Sequence, residues 1–446
     1  MTTFWCELAW LGDLDGAVER DVTITVEGDR IASIDLGIGP PSGAHVLAGL
    51  TLPGMANAHS HAFHRALRGR THGETGSFWT WRDRMYELAD RLDPDSYRAL
   101  ATATFAEMVL AGFTCVGEFH YLHHDRGGTP YSQSNEMGQV LLDAASEAGI
   151  RMTLLDTCYL HAGMTGDAEL SPTQQRFSDV DVQAWVVRLE GLVDTPTTRI
   201  GAAIHSVRSV DPASMEIVAE WAALHHKPVH AHVSEQPAEN EQCAAIHGCT
   251  PAALLGRRGV LGDRFTAVHA THLDQDDIAL LQSSHSTCCI CPTTERDLAD
   301  GIGPTEAFRS AGIAMAIGSD SHAVIDPFEE ARAIELDERL GSRRRGTHRP
   351  GELLATATES GYRSLGWHEG GRIAVGALAD LTSVSLASPR LAGIDHHQAA
   401  AAVVFAASGD DVHHVVVGGR VVVADGAHQT IDVGAVLDSS IRQVWS

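Results

Sequence analysis

Eight apolar runs, spaced along the middle of the chain, constrain its fold more than any other feature. They are LTLPGMANAHSH (50–61), FTCVGEFHY (113–121), RMTLLDTCY (151–159), RIGAAIHSV (199–207), PVHAHVSE (228–235), FTAVHATHL (265–273), STCCICPTT (286–294) and IAMAIGSDSH (313–322). Each reads as a strand, and helix-like stretches such as SYRALATATFAEMVLAG (96–112) and SMEIVAEWAALHH (214–226) lie between many of them. Strands alternating with helices predict an α/β fold, a parallel TIM-like (β/α)8 barrel. The polar and histidine-rich residues gather at the C-terminal ends of these strands, where barrel enzymes place their active sites.

The two ends of the chain read differently. VTITVEGDRIASIDL (22–36) alternates apolar and polar residues around a Gly-Asp turn, and ADLTSVSL (379–386) reads as a further strand. HHVVVGGRVVVADG (413–426) places Gly-Gly between two valine runs, a strong hairpin signal. Chain ends often lie close together, so residues 1–49 plus 371–446 are expected to form one small β-rich domain beside a barrel over 50–370. The stretch DERLGSRRRGTHRPG (337–351) reads as a solvated loop.

Charge and composition narrow the class of protein. A formal net charge of -26 repels phosphates, which argues against a nucleic-acid or anionic-membrane partner. No apolar run reaches the roughly 18 residues of a membrane span, and MTTFWCELAW lacks the pattern of a secretory signal. The expected location is therefore the cytoplasm. There, eight cysteines read as reduced and mostly buried thiols, the trio Cys288, Cys289 and Cys291 included. Lys227 is the only lysine.

The chemistry sits on the strand ends. In Ala58-His59-Ser60-His61 the two histidines are two residues apart, so on a strand both imidazoles face one side. Such a pair is weak evidence alone among 26 histidines, and His120, His123 and His124 form a cluster of the kind that arises by chance. His232 lies near the end of the fifth strand; His230 shares its parity, but His232 is nearer the C-terminal end. His269, with His272 as the alternative, lies on the sixth strand, and Asp320 directly follows the eighth. Singly each is more often a packed or solvated residue; together they point to one metal site. Imidazole and carboxylate ligands suit Zn2+, and Fe2+ or Mn2+ use the same set.

The pattern His-x-His, His, His, Asp, with GSDSH on the last strand, resembles the amidohydrolase superfamily across nearly the whole chain. That resemblance implies a small composite β-sandwich domain built from the chain ends. It also implies a metal held by His59, His61, His232 and Asp320. Several branches bridge two metals with a carboxylated lysine on a middle strand, and a glutamate bridge is the alternative. Lys227 precedes the fifth strand, at the wrong end, so one ion per chain is the simplest reading. This points to the deaminase-like branch. There Glu235, three residues after His232, shuttles protons, His269 orients or deprotonates the water, and Asp320 both ligates and accepts a proton. By analogy with the superfamily, a homodimer is expected.

Longer runs are similar to the deiminases of that branch that act on formiminoglutamate: HSHAFHRALRGR (59–70), SFWTWRDRMYELADRLDPD (77–95), GEFHYLHHD (117–125), IHSVRSV (204–210) and CPTTERDLADG (291–301). One departure is His64, where that group often has glutamine. The substrate implied is a small anionic amidine with two carboxylates. Arginine forks suit carboxylates, so Arg82 and Arg208, in loop or strand-end positions, are the candidate partners. His64, Tyr121 and His205 are the candidate hydrogen-bonding contacts, and Trp79 and Trp81 either line the pocket or pack beneath it. Two other readings compete: a deaminase of a purine, pterin or triazine ring, which would need no pair of arginines, and an inactive homologue serving as a scaffold. The intact set His59, His61, His232, Glu235, His269 and Asp320 argues against the second.

Overall fold

The structure, a computed structural model, describes residues 1–72 and 78–446. Ser77, which opens the run at 77–95, lies outside the described residues. Eight parallel strands form the central sheet: β1 (Met55–Ser60), β2 (Phe113–His120), β3 (Arg151–Cys158), β4 (Thr198–Ile204), β5 (Val229–Val233), β6 (Phe265–His269), β7 (Thr287–Ile290) and β8 (Ala314–Ile317). They pair strictly in chain order. The loop after β8 then bridges back to β1, Ser60 opposite Asp320, with the Asp320 amide donating to the His59 carbonyl at 3.0 Å. The barrel is thereby closed. Ala58, Val268, Cys289, Cys291 and Ala316 pack together as a small apolar cluster contributed by β1, β6, β7 and β8. All eight cysteines are free thiols.

The second sheet is built from both ends of the chain. Its eight strands run in the order Ala427–His428, Arg420–Ala424, Val412–Val417, Leu381–Val384, His45–Pro53, Thr2–Ala9, Glu19–Glu27 and Arg30–Leu36. The sandwich expected of the ends is one continuous sheet that rolls until its edge strand meets Leu378. Arg30 bridges that residue, and the Ile31 amide donates to the Ala377 carbonyl at 2.9 Å. Phe4, Ile24, Leu47, Leu381 and Val416 pack within one core enclosed by the roll. The valine hairpin turns at Gly418 and Gly419, both at positive φ (57° and 74°), the geometry a two-residue turn of this type requires.

Three expectations change. The run at 50–61 is two strands: His45–Pro53 pairs with Leu381–Val384 in the terminal sheet, and Gly54 hands the chain to β1. A side chain at Gly54 would meet the Thr114 hydroxyl at 2.3 Å and the Asp380 Cβ at 2.8 Å, so the crossing is tight enough to need glycine. The supposed loop at 337–351 is helical in its first part, because Pro327–Ser342 is one helix. Asp326 caps it, accepting from the Phe328 and Glu329 amides, and Glu330 and Glu335 turn inward. Lastly, Arg82 lies on the helix Phe78–Arg91 rather than in a loop.

Candidate metal centre and active site

β1 ends in His59-Ser60-His61, and the period of two sends both imidazoles to the same point inside the barrel mouth. His59 Nε2 lies 3.2 Å from His232 Nε2 and 3.2 Å from Asp320 Oδ1, and His61 Nε2 lies 3.3 Å from the same oxygen. The four side chains are buried. A tetrahedral ion with bonds of about 2.0–2.1 Å would hold its ligand atoms roughly 3.3 Å apart, so these separations are the edges such an ion requires. The remaining ring nitrogens support that reading. His61 Nδ1 faces the Phe119 carbonyl at 2.9 Å and His232 Nδ1 faces the His205 carbonyl at 2.7 Å. A carbonyl only accepts, so both rings carry their proton on Nδ1 and turn unprotonated Nε2 lone pairs inward. Burial holds His59, His61 and His232 below the usual histidine range, which keeps them neutral. Burial works to raise Asp320, but the imidazoles, His59 foremost, hold it well below the usual carboxylate range. Two inward lone pairs, on His61 and His232, beside an ionised carboxylate and the His59 imidazole make a donor set that fits a divalent metal.

Around this centre the backbone is strained. Ser234 after β5, His269 and Ala270 at the end of β6, and Asp320 and His322 after β8 all take positive φ. Five non-glycine residues in the left-handed region at one end of a barrel mark a place where geometry is held at a cost.

Glu235 and His269 form the next layer. His269 Nε2 lies 3.8 Å from Glu235 Oε1 and 4.0 Å from Asp320 Oδ2. Burial pushes the His269 imidazolium down, but Glu235, Glu295 and Asp320 overcome it and raise the group to about 10. On the far side, Glu235 Oε2 is 3.4 Å from Arg208 Nη2, and Arg208 Nε is 4.0 Å from Glu239 Oε2. Sequence reading missed Glu239 and Glu295. Glu239 sits four residues after Glu235, a helical spacing that could have suggested it. Nothing in the chain's order points from Glu295 to His269, since His269 ends β6 and Glu295 lies on the short helix Pro292–Asp297 after β7.

Above the ligands opens a cavity of about 210 Å3. Its wall contains His61, His232 and Asp320 from the metal set, Glu235 and His269, and all five expected contacts: His64, Arg82, Tyr121, His205 and Arg208. His59 lies beneath, buried. His64 Nε2 pairs with the Tyr121 hydroxyl at 3.0 Å, and the Arg82 guanidinium lies over Trp79 and Tyr86, 4.5 Å and 5.4 Å from their ring centres. Trp79 and Trp81 both line the cavity, with Tyr159, Met85 and Phe177. The discarded histidines lie elsewhere. His230 points to the Ser364 carbonyl (2.9 Å) and His272 to that of Asp300 (2.8 Å). His120 and His123 stand near Asp156, but that carboxylate is engaged by Arg188 at 2.6 Å.

A closed barrel with a buried three-histidine, one-aspartate centre at its mouth and a sheet built from both chain ends defines a metal-dependent hydrolase architecture. The model of the amidohydrolase family matches residues 50–422, and the chain belongs to that family. Its relatives include formimidoylglutamate deiminase of Pseudomonas aeruginosa, 36% identical over 423 residues, 92% of each chain. A 5-methylthioadenosine/S-adenosylhomocysteine deaminase of Natronomonas pharaonis is 29% identical over 87% of this chain and 84% of its own. Among solved structures, an amidohydrolase from Brucella melitensis superposes with a TM-score of 0.90 at 31% identity, covering both chains completely.

Proposed function

We propose that this chain hydrolyses N-formimino-L-glutamate to N-formyl-L-glutamate and ammonia, with one zinc ion held by His59, His61, His232 and Asp320. The observation that carries the substrate is the pair Arg82 and Arg208 in the wall of one small cavity whose floor is the metal set. Two guanidinium groups lining so small a space match two carboxylates, and a neutral purine ring brings no negative charge to either. The similarity to formimidoylglutamate deiminase exceeds that to the adenosine-type deaminase, which points the same way.

When bound, the ion supplies Lewis acidity that makes a hydroxide-like nucleophile available near neutral pH. The chain's own groups do the rest. Arg82 and Arg208 take the carboxylates and set the formimino carbon over the centre. His64, Tyr121 and His205 give hydrogen bonds along the substrate. Asp320, or His269 in its neutral form, takes the proton from the attacking water; their facing atoms are 4.0 Å apart. The new carbon–oxygen bond leaves a tetrahedral carbon bearing an amino group. Glu235 carries both protons of the water to that nitrogen, the one released at attack and the one the hydroxyl loses as the carbonyl forms, so that the carbon–nitrogen bond breaks and ammonia departs. The Glu235 contact with Arg208 ties the proton shuttle to the group that grips the substrate.

We further propose that the enzyme works in the cytoplasm in histidine degradation, as a homodimer. Its free cysteines suit a reducing compartment. Among the described residues no helix is long and apolar enough to cross a membrane. Arg82→Met and Arg208→Met test the substrate. Each is expected to lower kcat/KM for formiminoglutamate roughly 10- to 100-fold, the worth of a charged hydrogen-bonding contact, with metal content unchanged. Near-wild-type turnover in both variants would contradict the assignment and favour a ring substrate.

A further inference from the structure

Arg176, in the connection between β3 and the helix Val182–Leu189, is fully buried. Its three side-chain nitrogens all donate to main-chain carbonyls: Nε to His124 at 3.0 Å, Nη2 to Leu92 at 2.8 Å, and Nη1 to Ala89. Ala89 and Leu92 stand at the C-terminal end of the helix Phe78–Arg91. The last carbonyls of a helix lack amide partners from the helix itself, and a cation there opposes the helix dipole. The His123 and His124 amides in turn donate to the Arg176 carbonyl, at 3.0 Å and 2.9 Å. Two further bonds reach the same helix end. The Thr173 hydroxyl donates to Asp90 Oδ2 at 2.7 Å, and Arg126 Nε donates to the Asp90 carbonyl at 3.2 Å.

The helix so anchored carries Arg82, about two turns before Ala89. Phe177, the residue after Arg176, is buried in the wall of the same cavity. Its ring centre lies 5.8 Å from that of Tyr86, 5.0 Å from that of Tyr121 and 5.7 Å from that of Tyr159. Tyr86 is one of the two rings over which the Arg82 guanidinium lies. Stacking on a ring fixes the plane of a guanidinium, but its reach is set by the backbone that carries it. Arg176 therefore acts on Arg82 by two routes, through the end of its helix and through Phe177 and Tyr86. We infer that Arg176 is a positioning residue for substrate recognition, setting where the Arg82 guanidinium stands in the cavity. This rests on the proposed grip of Arg82 on a carboxylate of formiminoglutamate.

The test uses Arg176→Lys and Arg176→Met, each alone and combined with Arg82→Met, in the zinc-loaded full chain. Lysine keeps a cation and its donors in the buried position but loses the planar fork that spans the three carbonyls. In Arg176→Lys, KM for formiminoglutamate and the Kd of N-formyl-L-glutamate, read by calorimetry, are expected to rise about 5- to 10-fold, with kcat within about twofold of wild type. Zinc content is expected to stay the same, and Arg176→Met to go further in the same direction. In the Arg82→Met background neither change is expected to move KM or Kd further, because the group being positioned is gone. Hydrogen exchange supplies the readout apart from activity. In Arg176→Lys the amides of residues 86–92 are expected to exchange about 10-fold faster, and those of Pro327–Ser342 at the wild-type rate. A fall in kcat with KM unchanged, a rise in KM just as large without Arg82, unchanged exchange, or loss of the folded state in both variants would overturn the inference and leave Arg176 a residue of the scaffold. A wild-type chain inactive on formiminoglutamate would remove the substrate reading alone, and the exchange arm would still decide whether Arg176 holds the helix that carries Arg82.

Discussion

His59, His61, His232 and Asp320 are residues whose placement follows from strand periodicity and from where barrel strands end, which is why they were legible in the sequence. His232 outranked His230 only by its nearness to the strand end, and the structure sends His230 instead to the Ser364 carbonyl. Glu295 was illegible because its neighbour His269 ends a different strand, and contacts between separate elements leave no spacing in the chain. Away from the site, Glu352 offers a residue-scale check on the electrostatics. Burial works against its charge, but Arg349 at 2.8 Å and Arg309 at 3.2 Å more than compensate and lower it from 4.5 to about 2. A carboxylate lowered in the folded state stabilises the fold above its unfolded value and loses that contribution as pH falls toward the folded one. The stability difference between wild type and Glu352→Gln, measured by urea unfolding, should therefore shrink as pH falls from 4.5 to about 2. A constant difference across that window would contradict the ion-pair account.

Strands and helices were legible where their pattern was strong and illegible where one pattern ran into another. The run at 50–61 is mostly apolar on both sides of Gly54, so nothing in it announces that Gly54 divides two sheets; only the close approach of Thr114 and Asp380 requires the change there. The helix Pro327–Ser342 reads partly as loop because its last turns are polar and end among arginines, although Asp326-Pro327 is a strong start signal. The meeting of β8 with β1 carries the most functional consequence. A Cβ at Gly318 would lie 2.7 Å from the His59 Cβ and 2.9 Å from the Cys291 sulfur. Gly318→Ala should press the two strands apart just where His59 and Asp320 converge. We expect a loss of about 1–3 kcal/mol in stability together with weakened zinc retention under chelator, read by unfolding and metal analysis. Unaltered metal retention would mean that the ligand geometry tolerates movement of the strand ends.

The whole molecule joins two cores, and the joint is specific. Arg151 at the start of β3 is buried and pairs with Asp380, at 2.7 Å from Nε and 3.2 Å from Nη2. Asp380 also accepts from the Tyr362 hydroxyl at 2.8 Å and from the Gly418 amide at 2.6 Å, so one carboxylate ties the barrel to the valine hairpin. Removing one partner of a buried pair strands the other, and Arg151→Met is expected to cost about 3–5 kcal/mol. A thermal or urea scan showing wild-type stability would mean that the two sheets are joined by other contacts. The approach of the chain ends was legible as a matter of pattern, but the tie itself was not, because Arg151 and Asp380 are far apart in the chain. The account as a whole stands on one assay, ammonia release from N-formimino-L-glutamate by zinc-loaded and metal-stripped protein, with adenosine and guanine as comparisons. It predicts release from formiminoglutamate alone, lost on stripping and restored by zinc. Release only from a ring substrate, or release from formiminoglutamate that is indifferent to metal, would contradict it.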